Sequence, residues 1–217
     1  MTLSERLGLG KGERVAVVGC GGKTTLIDRL ANENAAGGVL IAPTTRMGLS
    51  QRIKRPGVVY FGRIQGDKLC AAPLFEIQAA SRSFALTLME ADGSKRLPLK
   101  GWADHEPVVP GFATRSIAVV SARAVGLSAV EENVHRCPLF LSQTGLRQGD
   151  TVDEAAVARM ICWCMDRHAV GKRTILINQA DDPPLRAIAQ RIARALKGFD
   201  GQILIGSLKE GEAWNAN

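Results

Sequence analysis

The stretch VAVVGCGGKTTLIDRLA, residues 15–31, decides how the chain folds, because it joins a strand, a glycine-rich loop and a helix. Residues 14–18 form a short β-branched run that ends in glycines, which predicts a buried strand. After this loop the apolar residues recur at helical spacing, as Leu26, Ile27, Leu30 and Ala31. The glycine pair at residues 37–38 would stop this helix. A strand that runs through glycines into a helix is typical of phosphate-binding loops.

The loop itself ends in Gly22-Lys23-Thr24, as P-loops do. The usual pattern G-x-x-x-x-G-K-[ST] needs a glycine six residues before the lysine, but that position is Val17. Residues 19–25, GCGGKTT, instead resemble the shorter G-x-x-G-K-[ST]-[ST] loop of Mur-type ligases, which bind ATP. A glycine turn with an exposed lysine is the alternative interpretation. The flanking strand and helix favour the phosphate loop.

The residue types of this loop suit the phosphates of ATP or GTP. Its glycines allow backbone conformations in which successive N–H groups converge on phosphate oxygens, and the helix start adds unpaired N–H donors and a positive dipole end. The lysine would contact the β- and γ-phosphates, and the hydroxyl of Thr24 would bind Mg²⁺. The nucleotide-binding residues of the loop are then Gly19, Cys20, Gly21, Gly22, Lys23, Thr24 and Thr25.

Strands and helices alternate along the rest of the chain. Apolar runs predict further strands at residues 38–45, 58–64, 84–92, 116–122, 173–178 and 202–207. Helical spacing predicts helices at residues 153–168 and 185–197. This alternation indicates an α/β fold of P-loop NTPase type, with a mostly parallel sheet flanked by helices in three α/β/α layers. Because no internal repeat or linker divides the chain, we expect residues 1–217 to form a single domain.

Composition and charge narrow the functional classes. The 217 residues are 46% hydrophobic and 23% charged, as in soluble globular proteins. No apolar run approaches the roughly 18 residues of a membrane span, and the start lacks a secretory signal, so we expect a cytoplasmic protein with no membrane partner. The net charge of +7 comes from scattered lysines and arginines. An anionic small molecule accounts for this charge as well as nucleic acid does, and no nucleic-acid-binding motif accompanies it.

Two acidic residues end the predicted strand at 84–92. Glu90 and Asp92 are two residues apart, so on a strand they would point the same way and face the nucleotide together. One could bind Mg²⁺ while the other acts as a base, although Asp92 could instead cap a turn. Lys95 and Arg96 follow at once. They could contact the γ-phosphate or an anionic substrate, or be solvated loop charges.

A further polar group ends the strand at 173–178. Asn178 and Asp181 stand in an N-x-x-D frame, which in many P-loop proteins reads N-K-x-D and recognises guanine. Gln179 replaces the lysine whose aliphatic stem packs on the base. Asn178 and Asp181 are therefore candidate nucleotide-binding residues, and the choice between ATP and GTP stays open.

Two histidines and one cysteine are candidate reactive residues. His105 follows the acidic loop and could act as a general acid or base, whereas for His135 a satisfied hydrogen-bonding role is the favoured interpretation. Cys20 lies inside the phosphate loop at a helix N-terminus, which predicts a lowered thiol pKa and ready alkylation. A sulfur-carrier role for Cys20 rests on its location alone.

Several segments taken in order resemble the YqeC-type family, which is described as selenium-dependent hydroxylase accessory proteins. These segments are VVGCGGKTTLIDRLA, APTTRM, LMEADGSKRLPLKGWADHEPVVP, ENVHR and LINQAD. The resemblance covers about residues 13–207, and EADGSKRLPLK followed by HEPVVP is its most specific part. It implies a P-loop NTPase fold and a role in maturing molybdenum hydroxylases or their pterin-containing molybdenum cofactor.

The resemblance also assigns residues. It implies that Thr44 and Thr45 lie at a threonine-rich strand end, where a hydroxyl could reach Mg²⁺ or the γ-phosphate. Arg46 stands where a lysine is expected in many relatives, which keeps the charge and changes its geometry. Together with the chemistry above, the expected catalytic residues are Lys23, Glu90, Asp92 and His105. The expected Mg²⁺ ligands are Thr24, Thr44, Glu90 and Asp92.

Three functions agree with the sequence. The first is an Mg²⁺-dependent, ATP- or GTP-hydrolysing accessory protein that acts on a molybdenum hydroxylase or its cofactor machinery. The second is an ATP-dependent ligase or kinase for a small anionic substrate, as the Mur-like loop suggests. The third is a nucleotide-binding protein without catalysis. The family resemblance favours the first.

Overall fold

A large, mostly parallel sheet forms the centre of the structure, a computed structural model that describes residues 1–48 and 54–216. In chain order the strands are β1 (Glu13–Gly19), β2 (Val39–Ile41), β3 (Arg46–Gly48), β4 (Val58–Tyr60), β5 (Arg63–Gln65), β6 (Lys68–Cys70), β7 (Leu86–Glu90), β8 (Leu99–Lys100), β9 (Arg115–Ser121), β10 (Val134–His135), β11 (Lys172–Asn178), β12 (Gln202–Ser207) and β13 (Glu212–Asn215). The α-helices are α1 (Leu3–Leu7), α2 (Lys23–Asn34), α3 (Leu74–Ser81), α4 (Cys137–Thr144), α5 (Glu154–His168) and α6 (Pro183–Ala195).

Eight of these strands form the central sheet, in the spatial order β13-β12-β11-β9-β1-β7-β2-β4. All neighbours in it run parallel except β12 and β13. The strand that leads into the glycine loop, β1, therefore lies in the middle, between β9 and β7. Because parallel strands end at the same edge of a sheet, the loops after β1, β7, β9 and β11 come together there.

Helices cover both faces of the sheet, which confirms the predicted three-layer α/β/α arrangement. Along β1, Val15 and Val17 belong to the core on the side of α1 and α2. Ala16 and Val18 belong to the core on the opposite side, with residues of α3 to α6. Since both faces are buried, the strand is apolar at successive positions instead of alternating with polar residues. Within the described residues, no helix combines the length and the apolar character needed to cross a bilayer.

The strands predicted from the sequence all contribute to the central sheet, and the predicted helices correspond to α2, α5 and α6. The strand predicted at residues 58–64 is wrong in its second half, because β4 ends at Tyr60. The following β5 pairs with β6 in a separate antiparallel sheet of order β3-β6-β5. The strand predicted at residues 38–45 is also too long, since β2 ends at Ile41.

Two small sheets extend the edge at which the parallel strands end. One is the sheet of β3, β5 and β6, and the other pairs β8 with β10. The sequence predicted neither of these small sheets, and it did not predict α1, α3, α4 or β13. These elements are short, and their pairing partners are distant in the chain, so local periodicity carries little signal for them.

Candidate functional site

The glycine loop follows β1 at the carboxyl edge of the sheet and turns into α2 at Lys23. Gly19 has a φ of 97°, and a β-carbon there would lie 2.3 Å from the carbonyl oxygen of Val119 on β9. Gly22 has a φ of 134°, and a β-carbon there would lie 2.3 Å from Nδ2 of Asn178. Both the backbone conformation and the close neighbours therefore require glycine.

The start of α2 leaves its first N–H groups free for an external acceptor. Gly22 occupies the N-cap position, and no side chain caps the helix there. The N–H groups of the first turn have no intrahelical acceptor, and they carry the positive end of the helix dipole. Thr24 and Thr25 of this turn line a cleft of about 580 Å³. Donor groups and a positive field thus meet an open volume of the size that small-molecule ligands occupy.

The cleft is lined mainly by polar and charged groups from five segments of the chain. The residues that line it are Gly21, Gly22, Lys23, Thr24, Thr25, Arg46, Gly48, Asp67, Lys68, Glu90, Gly93, Ser94, Lys95, Arg96, Leu97, Pro98 and Gln179. Five of them are cationic and two are acidic, so the cleft has an excess of positive charge. Such a cleft attracts anions.

Lys23 points inward to the buried acid next to the loop. Its side chain is 6% exposed, its Nζ lies 3.2 Å from Oδ1 of Asp92, and it also donates a hydrogen bond to the carbonyl of Gly19. Burial lowers the pKa of this amine, but the neighbouring carboxylates of Asp92 and Glu90 outweigh burial and raise it overall. Lys23 therefore remains protonated in its buried position.

Asp92 lies beneath the loop and does not line the cleft. Its Oδ2 accepts hydrogen bonds from the N–H of Gly19 at 3.1 Å, from Nζ of Lys100 at 2.9 Å and from Nε1 of Trp102 at 2.9 Å. Burial raises the pKa of this carboxyl, but Lys23 and Lys100 outweigh burial and lower it overall. Asp92 is therefore a buried carboxylate that ties the loop to the rest of the fold.

Glu90 is the acid that does line the cleft. Its side chain is 8% exposed, and its Oε2 is buried without a hydrogen-bond partner among the described residues. Burial raises its pKa to about 7, although Lys23 opposes that rise. The two acids thus occupy different environments, because β7 ends at Glu90 and the strand alternation that we assumed does not extend to Asp92.

Lys100 is a site residue that the sequence analysis missed. It is fully buried, its Nζ donates to the carbonyl of Gly93 at 2.6 Å, and it lies 3.5 Å from Oε2 of Glu106. Arg136 in turn donates to the same Glu106 oxygen at 2.7 Å. A lysine inside the apolar segment LPLKGW was the available signal, since a cation is buried there only when it is paired.

The threonines after β2 differ in their surroundings. The hydroxyl of Thr44 donates to the carbonyl of Val108 at 2.7 Å, and its N–H donates to the carbonyl of Glu90 at 3.0 Å. Thr44 therefore joins the ends of β2 and β7 to the segment HEPVVP, residues 105–110, and it does not line the cleft. The hydroxyl oxygen of Thr45 is buried without a hydrogen-bond partner in the described part of the chain.

The N-x-x-D residues after β11 are engaged within the chain. Nδ2 of Asn178 donates to the carbonyl of Gly21 at 2.8 Å, and its Oδ1 accepts the N–H of Leu208 at 3.0 Å. Asn178 thus supports the glycine loop from below. Asp181 accepts one hydrogen bond from Ser207 at 2.6 Å and one from Arg123 at 2.8 Å, each with a different carboxylate oxygen.

Three further candidates lie apart from the cleft surface. His105 is exposed and is not among the residues that line the cleft. For His135, burial lowers the pKa first and the nearby cations Lys100 and Arg136 lower it further, so its imidazole is neutral at pH 7. Cys20 is 1% exposed, and its Sγ donates to the carbonyl of Pro98 at 3.0 Å.

The lowered thiol pKa predicted for Cys20 is wrong. Burial raises the pKa of this thiol to about 12, although Lys23 and Lys100 act in the opposite direction. The helix N-terminus would favour a thiolate only if the sulfur faced it or solvent, but Sγ is turned into the core on the side of α3 to α6. The side chain therefore packs as a small apolar group.

Comparison with known proteins gives one family. A model of this family, described as YqeC protein, matches residues 15–138. A relative described as uncharacterized protein YqeC, from Escherichia coli (strain K12), is 30% identical over 179 residues, which cover 68% of this chain. The chain spans 66% of the length of that relative. The family match contains the glycine loop, Glu90, Asp92 and Lys100, and it ends before Asn178 and Asp181.

Cys20 should resist alkylation in the folded protein, because its thiol is buried and protonated. With iodoacetamide at pH 8, we expect the half-exposed Cys70 to be modified while Cys20 stays unmodified, as measured by peptide mass spectrometry. In urea both thiols should react. Equal modification rates in the folded protein would contradict the buried position of Cys20.

Glu90 should make stability depend on pH. Its pKa is higher in the folded state, so the folded state binds more protons between about pH 4.5 and 7, and the free energy of unfolding falls as the pH rises through that range. Glu90→Gln should therefore be more stable than the unmutated protein at pH 8, by on the order of 1–3 kcal/mol, and lose this advantage below pH 4.5. Urea unfolding at several pH values measures this, with the exposed Glu210→Gln as the control. A pH-independent difference for Glu90→Gln would contradict it.

Lys100 should contribute strongly to the stability of the folded protein. Lys100→Met removes one cation from a fully buried carboxylate, which should lower the free energy of unfolding by about 3 kcal/mol. Lys95→Met, at an exposed position five residues earlier, should change it by less than about 0.5 kcal/mol. Urea denaturation compares the two variants, and equal stabilities would show that the buried pair contributes nothing.

Proposed function

The chain belongs to the YqeC family, and from this premise we propose that it binds Mg²⁺ with a nucleoside triphosphate in the cleft and hydrolyses the nucleotide. The observation that carries the proposal is the loop of residues 19–25. It leaves the central strand through glycines that no other residue could replace, enters α2, and faces the same cleft as Glu90. A strand, a glycine loop and a helix start in this arrangement are suited to phosphate.

Lys23 could leave Asp92 and contact the phosphates at a small cost in stability. In the structure Lys23 pairs with Asp92, but Asp92 keeps Lys100, Trp102 and the N–H of Gly19 as partners. If Lys23 turns outward to a phosphate, the carboxylate of Asp92 therefore keeps Lys100 as its cation and three donors on Oδ2, while Oδ1 loses its one neighbouring cation. The energetic cost of releasing the lysine is then small compared with leaving a buried carboxylate unpaired.

The acids and hydroxyls at the cleft suit Mg²⁺ that is shared with phosphate. Among the described residues, no three histidine, cysteine, aspartate or glutamate side chains cluster as a site made of protein alone would need. Mg²⁺ needs only one or two carboxylates when phosphates supply further oxygens. Glu90, with its unpartnered Oε2, and Thr24 at the first turn of α2 would hold it. Mg²⁺ bound there would neutralise part of the negative charge of the phosphates.

The base preference follows from the partners of Asp181. Guanine recognition would need the carboxylate of Asp181 to turn to the ring N–H groups, and in the structure its two oxygens accept from Arg123 and Ser207. Asn178 is likewise occupied with the loop. We therefore propose ATP as the nucleotide, with Glu90 as the group that orients or activates water. Asp92 would position the loop through Gly19.

The cellular role that we propose is assistance to the maturation of a molybdenum hydroxylase or its cofactor, and it rests on the family resemblance. The alternative is an ATP-dependent ligase or kinase that acts on a small anionic substrate. One observation favours the alternative: four of the five cleft cations, Arg46, Lys68, Lys95 and Arg96, come from segments other than the glycine loop.

Calorimetric titration with Mg-ATP and Mg-GTP tests the proposal. We expect Mg-ATP to bind. Lys23→Ala should lower the affinity for Mg-ATP about tenfold or more, because the variant loses the charge-assisted contact between the lysine and the phosphates. Lys197→Ala removes an exposed lysine at the end of α6 and should leave affinity unchanged. Mg-GTP should bind more weakly.

The same variants separate binding from hydrolysis. Release of inorganic phosphate should follow Mg-ATP binding in the unmutated protein and in Lys197→Ala, and be lost in Lys23→Ala. Absence of binding by both nucleotides would overturn the proposed function. Binding without phosphate release, alone or with a candidate hydroxylase, would leave a nucleotide-binding protein without catalysis.

A further inference from the structure

One wall of the cleft is formed by the small antiparallel sheet of β3, β5 and β6. In the pairing of β3 with β6, Met47 lies opposite Leu69, and both are buried in the core on the side of α2. Because side chains alternate along a strand, the neighbours Arg46 and Lys68 lie on the other face. That face lines the cleft. The register of this sheet therefore presents two cations to the cleft while its apolar residues anchor it.

A second part of the cleft lining is the loop of residues 93–98. Lys100 donates to the carbonyl of Gly93 at 2.6 Å, and Cys20 donates to the carbonyl of Pro98 at 3.0 Å, so both ends of the loop are held by buried groups. Between these ends, Lys95 and Arg96 have φ values of 50° and 63°. Consecutive left-handed residues other than glycine cost free energy, and the fixed ends maintain them. The loop thus presents two exposed cations between ends that buried groups hold.

These cations have few acidic neighbours. Within residues 1–48 and 54–216, no ion pair joins Arg46, Lys95 or Arg96 to another side chain, and Lys68 meets only the adjacent, largely exposed Asp67, at 3.4 Å. Like charges that line one cleft repel, and an anion bound among them reduces that repulsion. The phosphate loop is a separate segment with its own lysine and helix N-terminus.

We propose that this part of the cleft binds a second ligand, a small molecule that carries a phosphate monoester, beside the nucleotide. The inference rests on the proposed function, because it takes the neighbouring loop of residues 19–25 to be the binding site of ATP. Two arginines and two lysines match a dianion better than a single carboxylate, and the planar guanidinium binds phosphate oxygens in pairs. The cations line a concave cleft, which suits a small molecule better than a nucleic-acid strand.

Phenyl phosphate is the probe for this site, and benzoate is the matched carboxylate. Both are titrated by calorimetry into protein saturated with Mg²⁺ and a non-hydrolysable ATP analogue. We expect phenyl phosphate to bind and benzoate to bind at least about tenfold more weakly. Arg46→Ala/Lys68→Ala should lower the affinity for phenyl phosphate about tenfold and change that for the ATP analogue by less than about threefold.

The control is Lys172→Ala/Lys197→Ala, which removes the same charge from the start of β11 and the end of α6, at the opposite edge of the sheet. Equal losses in both double variants would show unspecific attraction and overturn the proposal. Equal binding of benzoate, tighter binding of an oligonucleotide, or no binding of phenyl phosphate would overturn it too. If the ATP analogue fails to bind, the proposed function fails, and phenyl phosphate titrated alone still decides the second site by its sensitivity to the Arg46→Ala/Lys68→Ala variant.

Discussion

The buried carboxylate of Asp92 is the interaction on which the site depends. A charge removed from water is stable only if it is fully compensated. Here the compensation comes from the backbone of the glycine loop, from Lys23, and from Lys100 and Trp102 in the segment that follows the acidic strand. One carboxylate therefore fixes where the loop lies, where the loop's lysine rests and how the next segment returns to the sheet.

This arrangement also explains why two acids so close in sequence behave differently. Oδ2 of Asp92 accepts three hydrogen bonds, its Oδ1 lies 3.2 Å from Nζ of Lys23, and the two lysines lower its pKa, whereas Glu90 has no ion pair in the described residues and a raised pKa. The first is a structural charge, and the second is free to meet a ligand. Of the four left-handed residues other than glycine in the described chain, Lys95, Arg96 and Gln179 line the cleft and Arg136 does not, so most of this backbone strain lies where a ligand would contact the protein.

The sequence predicts those parts of this structure whose cause is local. Residues 15–18 and 203–205 are apolar at successive positions, and both lie in strands of the parallel sheet. The phosphate loop is visible because glycines, lysine and threonines are adjacent in the chain. Lys100 escaped prediction because its acidic partners lie eight residues before and six residues after it, across turns that no periodicity describes. The predicted lowering of the Cys20 thiol pKa is wrong because the sequence gives the position of a thiol in the chain but not the direction in which its sulfur points. The small sheet of β3 and β6 is also invisible, since each strand has three residues.

The second cation beside Asp92 has a consequence for genetics. Because Lys100 remains with the carboxylate, a chain that lacks Lys23 keeps its buried charge paired and accumulates as a folded protein. Its outer surface, including any face that touches a partner enzyme, would be unaltered. If the protein acts on a partner enzyme as proposed, such an allele would compete with the intact protein for that partner and act as a dominant negative, whereas an allele that lacks Lys100 would lower the amount of folded protein.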